Sequence, residues 1–439
     1  MQEPARAASV ESVAIGAFRV GSVRVLVLGA GVVGVSSAWF LRAAGHDVVV
    51  VDRQPGPALE TSFANGGQIS ASHAEPWANP GAPRRILGWL GRADAPLLFR
   101  PRAEWLQWLW VAAFLRECTV RRSAANIRSI LTLALHSRGV VKRLRRQLQL
   151  EYDCEERGIL HVYTDRREFE ASLAPAALMR ALGCNRRSLT PQQAIELEPA
   201  LASVHDRIVG ADFCAEDESG DAHLFTQQLA ARCTDRGVQF LFGTTIDSLR
   251  VERGQARGVV VRDGDGSRRE LPADALVVCL GVHSAPLLRP LGLRLLIYPG
   301  KGYSATFNVV APERAPSVSL TDDEHKLVFS RLGRRLRVAG TAEIAGWSLD
   351  LNEVRCAALT RRTQELFPAA CDYAQPTYWA GLRPVTPSNV PYLGATRVRG
   401  LFLNTGHGTL GWTLGPGNGE LIAQVVSGRA PSVALPPGP

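Results

Sequence analysis

The stretch that most constrains this chain is residues 23–52, VRVLVLGAGVVGVSSAWFLRAAGHDVVVVD, which reads as strand, turn, helix, strand. Val23 to Leu28, with Val25, Leu26, Val27 and Leu28 at its end, is a short β-branched and apolar run suited to a parallel strand buried on both faces. Gly29, Ala30, Gly31, Val32, Val33 and Gly34 then fit G-x-G-x-x-G. Gly29 permits the tight turn, Gly31 lets the backbone approach a pyrophosphate without an intervening Cβ, and Gly34 lets the helix pack closely on the strand. That helix, predicted over residues 33–44 and closed by Gly45, presents free N–H groups and a positive dipole end to phosphates. Val48 to Val51 makes the second strand, and Asp52 ends it 23 residues beyond the first glycine. A carboxylate there accepts hydrogen bonds from both ribose hydroxyls and disfavours NADP. The unit predicts a dinucleotide site; by itself it leaves FAD and NAD both open.

The polar, glycine-bearing segment after Asp52 is rich in turn formers and reads as a loop. Arg53, Ser62, Asn65, Gly66, Gly67 and Gln68 are positioned in it to serve the cofactor, the competing reading being a surface turn. A later buried run, residues 275–280 ending in Gly281, reads as a return to the nucleotide-binding sheet, so that domain is expected to be discontinuous.

With 439 residues, 46% hydrophobic and 21% charged, the chain has the composition of a globular protein with two domains, not of a disordered one. Its eight cysteines are scattered without a C-x-x-C pair, which argues against zinc, iron–sulfur ligation and a disulfide framework. No metal site is expected. A reducing compartment fits best, which makes the chain cytoplasmic. The formal charge of +9 suits an anionic membrane surface or an acidic substrate, or reflects only a habit of arginine usage. No nucleic-acid motif accompanies it. Neither apolar stretch, 25–41 or 400–419, reads as a membrane span: the first is the nucleotide unit, and the second holds too many glycines and a proline.

Five of the nine tryptophans fall within residues 77–110, ending in WLQWLWVAAFL. Helical spacing puts Trp105, Trp108, Leu109 and Ala112 on one stripe, which reads either as a core face or as a peripheral membrane contact backed by Arg116, Arg121 and Arg122. A basic amphipathic helix follows over 126–150, then a strand pair over 155–164, a helix start at Thr190 and Pro191, and a helix over 223–236. Alternating strands between 298 and 345 suit a large antiparallel sheet. Residues 381–394 read as a proline-broken loop, and a last helix is expected over about 417–426, beside a glycine cluster.

Together VRVLVLGAGVVGVSSAW, DRQPGPALETSFANGGQIS, PWANPG, ESGDAHLFT, YPGKGYS, GLRPVTP and LFLNTGHGTLGW resemble the small subunit of FAD-dependent D-amino acid dehydrogenase, within the D-amino acid oxidase and glycine oxidase superfamily. The resemblance runs from Val23 to Ala430 and implies an α/β fold. A discontinuous Rossmann-like FAD-binding domain (23–75, 206–297, 381–430) faces an α+β substrate domain (76–205, 298–380), with a flexible extension over 1–22 and a tail over 431–439. It implies FAD as cofactor, a D-amino acid as substrate and a membrane quinone as electron acceptor, with the protein on the inner face of the cell membrane. Arg383 matches the G-x-R-P arginine that grips the substrate carboxylate. Tyr303 either contacts substrate or fills the core, and His407 either lies by the flavin or serves through its backbone. Gly406, Gly408, Thr409 and Leu410 offer N–H groups to the flavin ring that becomes anionic on reduction. The rivals are a glycine or sarcosine oxidase of the same superfamily and a silent flavin-fold scaffold subunit.

Overall fold

The computed structural model describes residues 21–89, 91, 92 and 95–438. The expected N-terminal extension lies outside them except for Gly21 and Ser22. Arg24–Leu28 sits at the centre of a six-stranded sheet, paired in parallel with Ala275–Val278 on one side and Asp47–Val51 on the other. Leu401–Thr405 and Gln239–Leu241 extend it in parallel, and Tyr392–Ala395 adds an antiparallel edge. The uniform apolarity of its strands follows from cover on both faces. Val25, Val27, Val48 and Val50 pack into the helical layer, whereas Leu26, Leu28, Val49 and Val51 pack under a three-stranded antiparallel sheet running from Thr245 to Pro272.

The helical layer explains the most instructive departure from the sequence reading. The last helix is Gly411–Val426, six residues longer at its start than expected, and it runs through the glycine cluster. A Cβ on Gly419 would come within 2.7 Å of the Ser36 backbone, and one on Gly417 within 2.5 Å of Ser137 Cα. These glycines therefore let the helix approach Val32–Ala43 on one side and Val120–Leu148 on the other. Close packing, not a loop, accounts for them.

The second sheet has nine strands, in the order Cys371–Val385, Tyr298–Val309, Arg335–Ile344, Leu327–Leu332, Ser319–Asp322, Ile159–Tyr163, Gly210–Cys214, Arg186–Leu189, with Leu97–Phe99 beside Arg335–Ile344. It is mixed, not purely antiparallel: Ser319–Asp322 runs parallel to Ile159–Tyr163, and Arg335–Ile344 parallel to Leu97–Phe99. Glu353–Leu366 covers its back with Phe307, Phe329 and Leu359 in the core. Two expected boundaries shift. Residues 381–385, read as loop, complete a strand of this sheet, and Gly210–Cys214 belongs to it as well. The expected strand pair at 155–164 is one strand, Ile159–Tyr163. At Thr190 the expected helix start is a capping box with Gln193, which satisfies two otherwise free backbone donors.

Candidate active site

Between the two sheets lies a cavity of about 1850 Å³, lined on one side by Gly29, Gly31, Val32, Val33 and Asp52, and on the other by Gly302, Thr341 and Arg383. At the nucleotide end, Gly29 adopts φ +105, which a side chain disfavours. A Cβ on Gly34 would sit 1.8 Å from the Gly29 carbonyl oxygen, whereas one on Gly31 would meet only Ser62 Oγ at 3.4 Å. Gly34 is thus fixed by the fold. Gly31 is free of protein contact on its cavity side, as a close-lying phosphate requires. Its helix carries no side-chain cap from Gly31, and Ser62 Oγ accepts the Val32 N–H at 3.1 Å. Asp52 accepts the N–H groups of Ala30 at 2.6 Å and Gln54 at 2.8 Å, so it shapes the glycine turn as well as facing the cavity. Burial pushes its carboxyl above the usual carboxylate range, against those two hydrogen bonds.

Other expected cofactor residues divide. Val25, Leu26, Val27 and Leu28 are fully buried in the sheet core and position the turn without reaching the cavity; Ala30 and Gly34 do the same from within it. Arg53 lines the cavity but is held by Glu60 at 2.5 Å and by His283. Asn65 Oδ1 accepts the Gly67 N–H, Gly67 has φ +75, and Gln68 Nε2 donates to Ser319 and Thr321 on the large sheet. The loop therefore ties the two sheets together while facing the space between them. Gly281, Gly408, Thr409 and Leu410 complete the lining, and Gly406, at φ +79, turns the chain into that last segment.

His407 lines the cavity, and its ring is held from the last helix. Its Nε2 lies 3.0 Å from Asn418 Nδ2 on the last helix, and burial pushes the imidazole down to about 3. A neutral ring accepting at Nε2 keeps its proton on Nδ1 and has no free basic nitrogen to offer. Tyr303 keeps both of its expected readings. It is 1% exposed in the core of the large sheet, and its hydroxyl donates to Glu343 at 2.6 Å. Tyr303 also borders the cavity beside Gly302, with its hydroxyl taken by Glu343.

Arg383 is on the cavity face. Its guanidinium lies flat across Gly302, where a Cβ would come within 2.2 Å of Cζ. Gly302 pairs with Gly381, over which Trp379 lies just as closely, at 2.1 Å from the position of a Cβ. Two facing glycines thus make the floor that seats both side chains. That is the physical content of the YPGKGYS and GLRP strings, and it could be read only once the strands were paired. Arg383 donates to the carbonyls of Thr341 at 2.7 Å and Gly340 at 3.4 Å. Thr341 presents its carbonyl from φ +51, a strained value for a β-branched residue, beside a bulge. Burial, then the neighbouring Arg355, pulls the guanidinium down to about 10, which leaves it charged at neutral pH. No carboxylate among the described residues pairs with it.

The sequence reading missed the wall facing this floor: His73, Glu75 and Lys326 also line the cavity. His73 and Glu75 lie directly before PWANPG, and only that adjacency marked them.

Residues 24–425 match the FAD dependent oxidoreductase (DAO) family. A D-amino acid dehydrogenase of Dechloromonas aromatica is 54% identical, over 94% of this chain and 99% of its own. Another, of Paramagnetospirillum magneticum, is 49% identical over 94% and 97%. In fold, the chain is similar to glycine oxidase from Geobacillus kaustophilus, with TM-score 0.72 and 22% identity over 94% of this chain and 97% of that one. L-proline dehydrogenase from P. horikoshii gives 0.71 and 15% over 92% and 93%. A match across nearly the whole fold, with relatives this similar, makes the chain a member of the FAD dependent oxidoreductase family, and the dinucleotide that the glycine turn left open is FAD.

Proposed function

We propose that the protein oxidises D-amino acids to imines, which water hydrolyses to 2-oxo acids and ammonia, and that Arg383 holds the substrate carboxylate. One observation carries the assignment of the clamp. A guanidinium with no carboxylate partner, bonded to two backbone carbonyls and open to the cavity that the FAD motifs border, is a built receptor for an anion. FAD, when bound, supplies the acceptor for the hydride leaving Cα. The chain's part is positional. Arg383 fixes one end of the substrate, Gly302 and Gly381 keep the floor beneath it clear, and the enclosing sheets exclude water. His407, neutral and bonded to Asn418, holds the turn that carries Gly408 and Leu410. Anaerobic mixing with a panel of D- and L-amino acids, monitored by loss of flavin absorbance, tests this reading. Bleaching by L- but not D-amino acids, or by neither, overturns it.

We further propose a quinone-type acceptor reached at a membrane surface. Support comes from Trp105–Glu117, whose outward stripe holds Trp105 at 78% exposure, Trp108 at 46% and Leu115 at 50%, with Val120 at 75% beyond it. Trp110 belongs to the core instead: it is 4% exposed and donates to the Val385 carbonyl. Trp108, Phe114 and Val120 also line the cavity, so its apolar end opens beside the exposed stripe. Arg116 and Arg121 flank that stripe on the exposed surface. No helix among the described residues is long and apolar enough to cross a membrane. Faster reoxidation by a quinone than by oxygen, together with salt-sensitive binding to anionic vesicles, is the expected result. Stoichiometric peroxide with no vesicle binding rejects this part of the reading.

A further inference from the structure

Residues 70–77 run along one wall of the cavity. They are pinned at Ser70, whose N–H is bonded to Thr413 at 3.1 Å, and at Trp77, whose N–H is bonded to Asn389 at 2.9 Å. Between these points Glu75 opens onto the cavity. The charges around it are matched among themselves. Lys326 lies 3.5 Å from Asp323, Asp323 lies 3.0 Å from His161, Arg186 holds Asp212 at 2.9 Å, and Arg85 holds Glu168 at 2.8 Å. Glu75 alone in this group has neither a hydrogen bond nor an ion pair among the described residues. Burial raises its carboxyl above the usual range. His73 does not neutralise it, because burial and the adjacent His161 push that imidazole down to about 4.

Among the described residues, no opposite charge pairs with the cation Arg383 or with the acid Glu75 in this cavity. Lys326, which bears on Glu75, is tied to the Arg383 clamp through its carbonyl, which accepts the Thr341 N–H at 3.3 Å. Arg355 is the charged group that bears on Arg383, whereas Lys326, Arg186, Asp323 and Arg85 bear on Glu75.

We propose that Glu75 is the floor of a side-chain subsite that selects D-amino acids ending in a cation or an N–H donor. The proposal rests on the Arg383 clamp and names the substrate class of that same site. A cation there supplies the counter-charge that the chain withholds, in surroundings where a charge-assisted pair is strong.

The test compares D-lysine with D-norleucine, which has the same chain length without the amine, on flavin-loaded enzyme. The parent is expected to favour D-lysine. Glu75→Gln should lower kcat/KM for D-lysine by about tenfold or more, chiefly through KM, while D-norleucine and D-alanine stay within about twofold. Glu75→Met should invert the preference. The D-lysine concentration that half-bleaches the flavin anaerobically should rise in parallel. Equal losses on all three substrates, or a parent indifferent between D-lysine and D-norleucine, overturn the subsite. If neither variant retains flavin, the parent's preference alone decides in the same sense. Arg383→Ala separates the two readings: a uniform loss on every substrate upholds the clamp whatever Glu75 does, and no loss removes the clamp itself.

Discussion

The two ends of the cavity treat their polar groups in opposite ways. At the glycine turn, Asp52 holds two backbone N–H groups and Ser62 a third, so the chain satisfies itself before any cofactor arrives. At the large sheet, among the described residues, Arg383 rests on two carbonyls and Glu75 has neither a hydrogen bond nor an ion pair. A site for a resident group is kept in shape by backbone geometry. A site for a ligand that comes and goes keeps charge in reserve.

Substitution at the glycines should break this contrast most sharply. With a Cβ 1.8 Å from a carbonyl oxygen, Gly34→Ala should cost at least about 3 kcal/mol and abolish cooperative unfolding of a folded species. Gly31→Val should instead fold and unfold normally but emerge without FAD, as its absorbance would show. At the other end, Arg383→Ala should keep its flavin and lose roughly hundredfold in kcat/KM, about 3 kcal/mol, with lysine a poor substitute for the planar fork.

Acid should sharpen the comparison. Burial raises Asp52, so its folded form binds a proton more readily than the unfolded chain, and its contribution to stability grows as pH falls. At Asp322 burial also acts upward, but the hydrogen bond from His325 and the charge of Arg362 outweigh it and hold the carboxyl low. Its contribution, complete above the ordinary carboxylate pKa, is lost as pH falls through the depressed folded value. Asp322→Asn should therefore lessen the loss of stability in acid and Asp52→Asn should increase it, as read from urea midpoints between roughly pH 3 and 6. The smallest effect should come from Trp105→Ala with Trp108→Ala, within about 0.5 kcal/mol each in stability but with a clear fall in vesicle binding.

Why one end was legible in the sequence and the other was not follows from the distance along the chain. The strand, three glycines, helix and acid lie within 30 residues, and each residue's job is set by its immediate neighbours. Gly302 and Gly381 acquire their meaning only from pairing across a sheet, so Arg383 was found by resemblance and Glu75 was not found at all. Tyr303 and His407 looked suited to chemistry by residue type; both border the cavity, and only the structure shows the Tyr303 hydroxyl taken by Glu343 and the His407 Nε2 by Asn418. The glycines of the last helix were misread because a sequence does not reveal how near a second helix lies.

The glycine contacts of that last helix also set when the protein can become itself. The first helix, at residues 32–43, is roofed by residues 411–426, and the first strand by residues 275–278, themselves flanked by 401–405. At about 5–20 residues per second, synthesis leaves the nascent nucleotide unit without its roof for roughly 20–80 seconds. Its apolar strands must be sheltered during that interval, and its final shape waits for residues 411–426 to emerge. A chain stopped before residue 411 would carry almost every part of the site and lack the helix against which residues 32–43 pack.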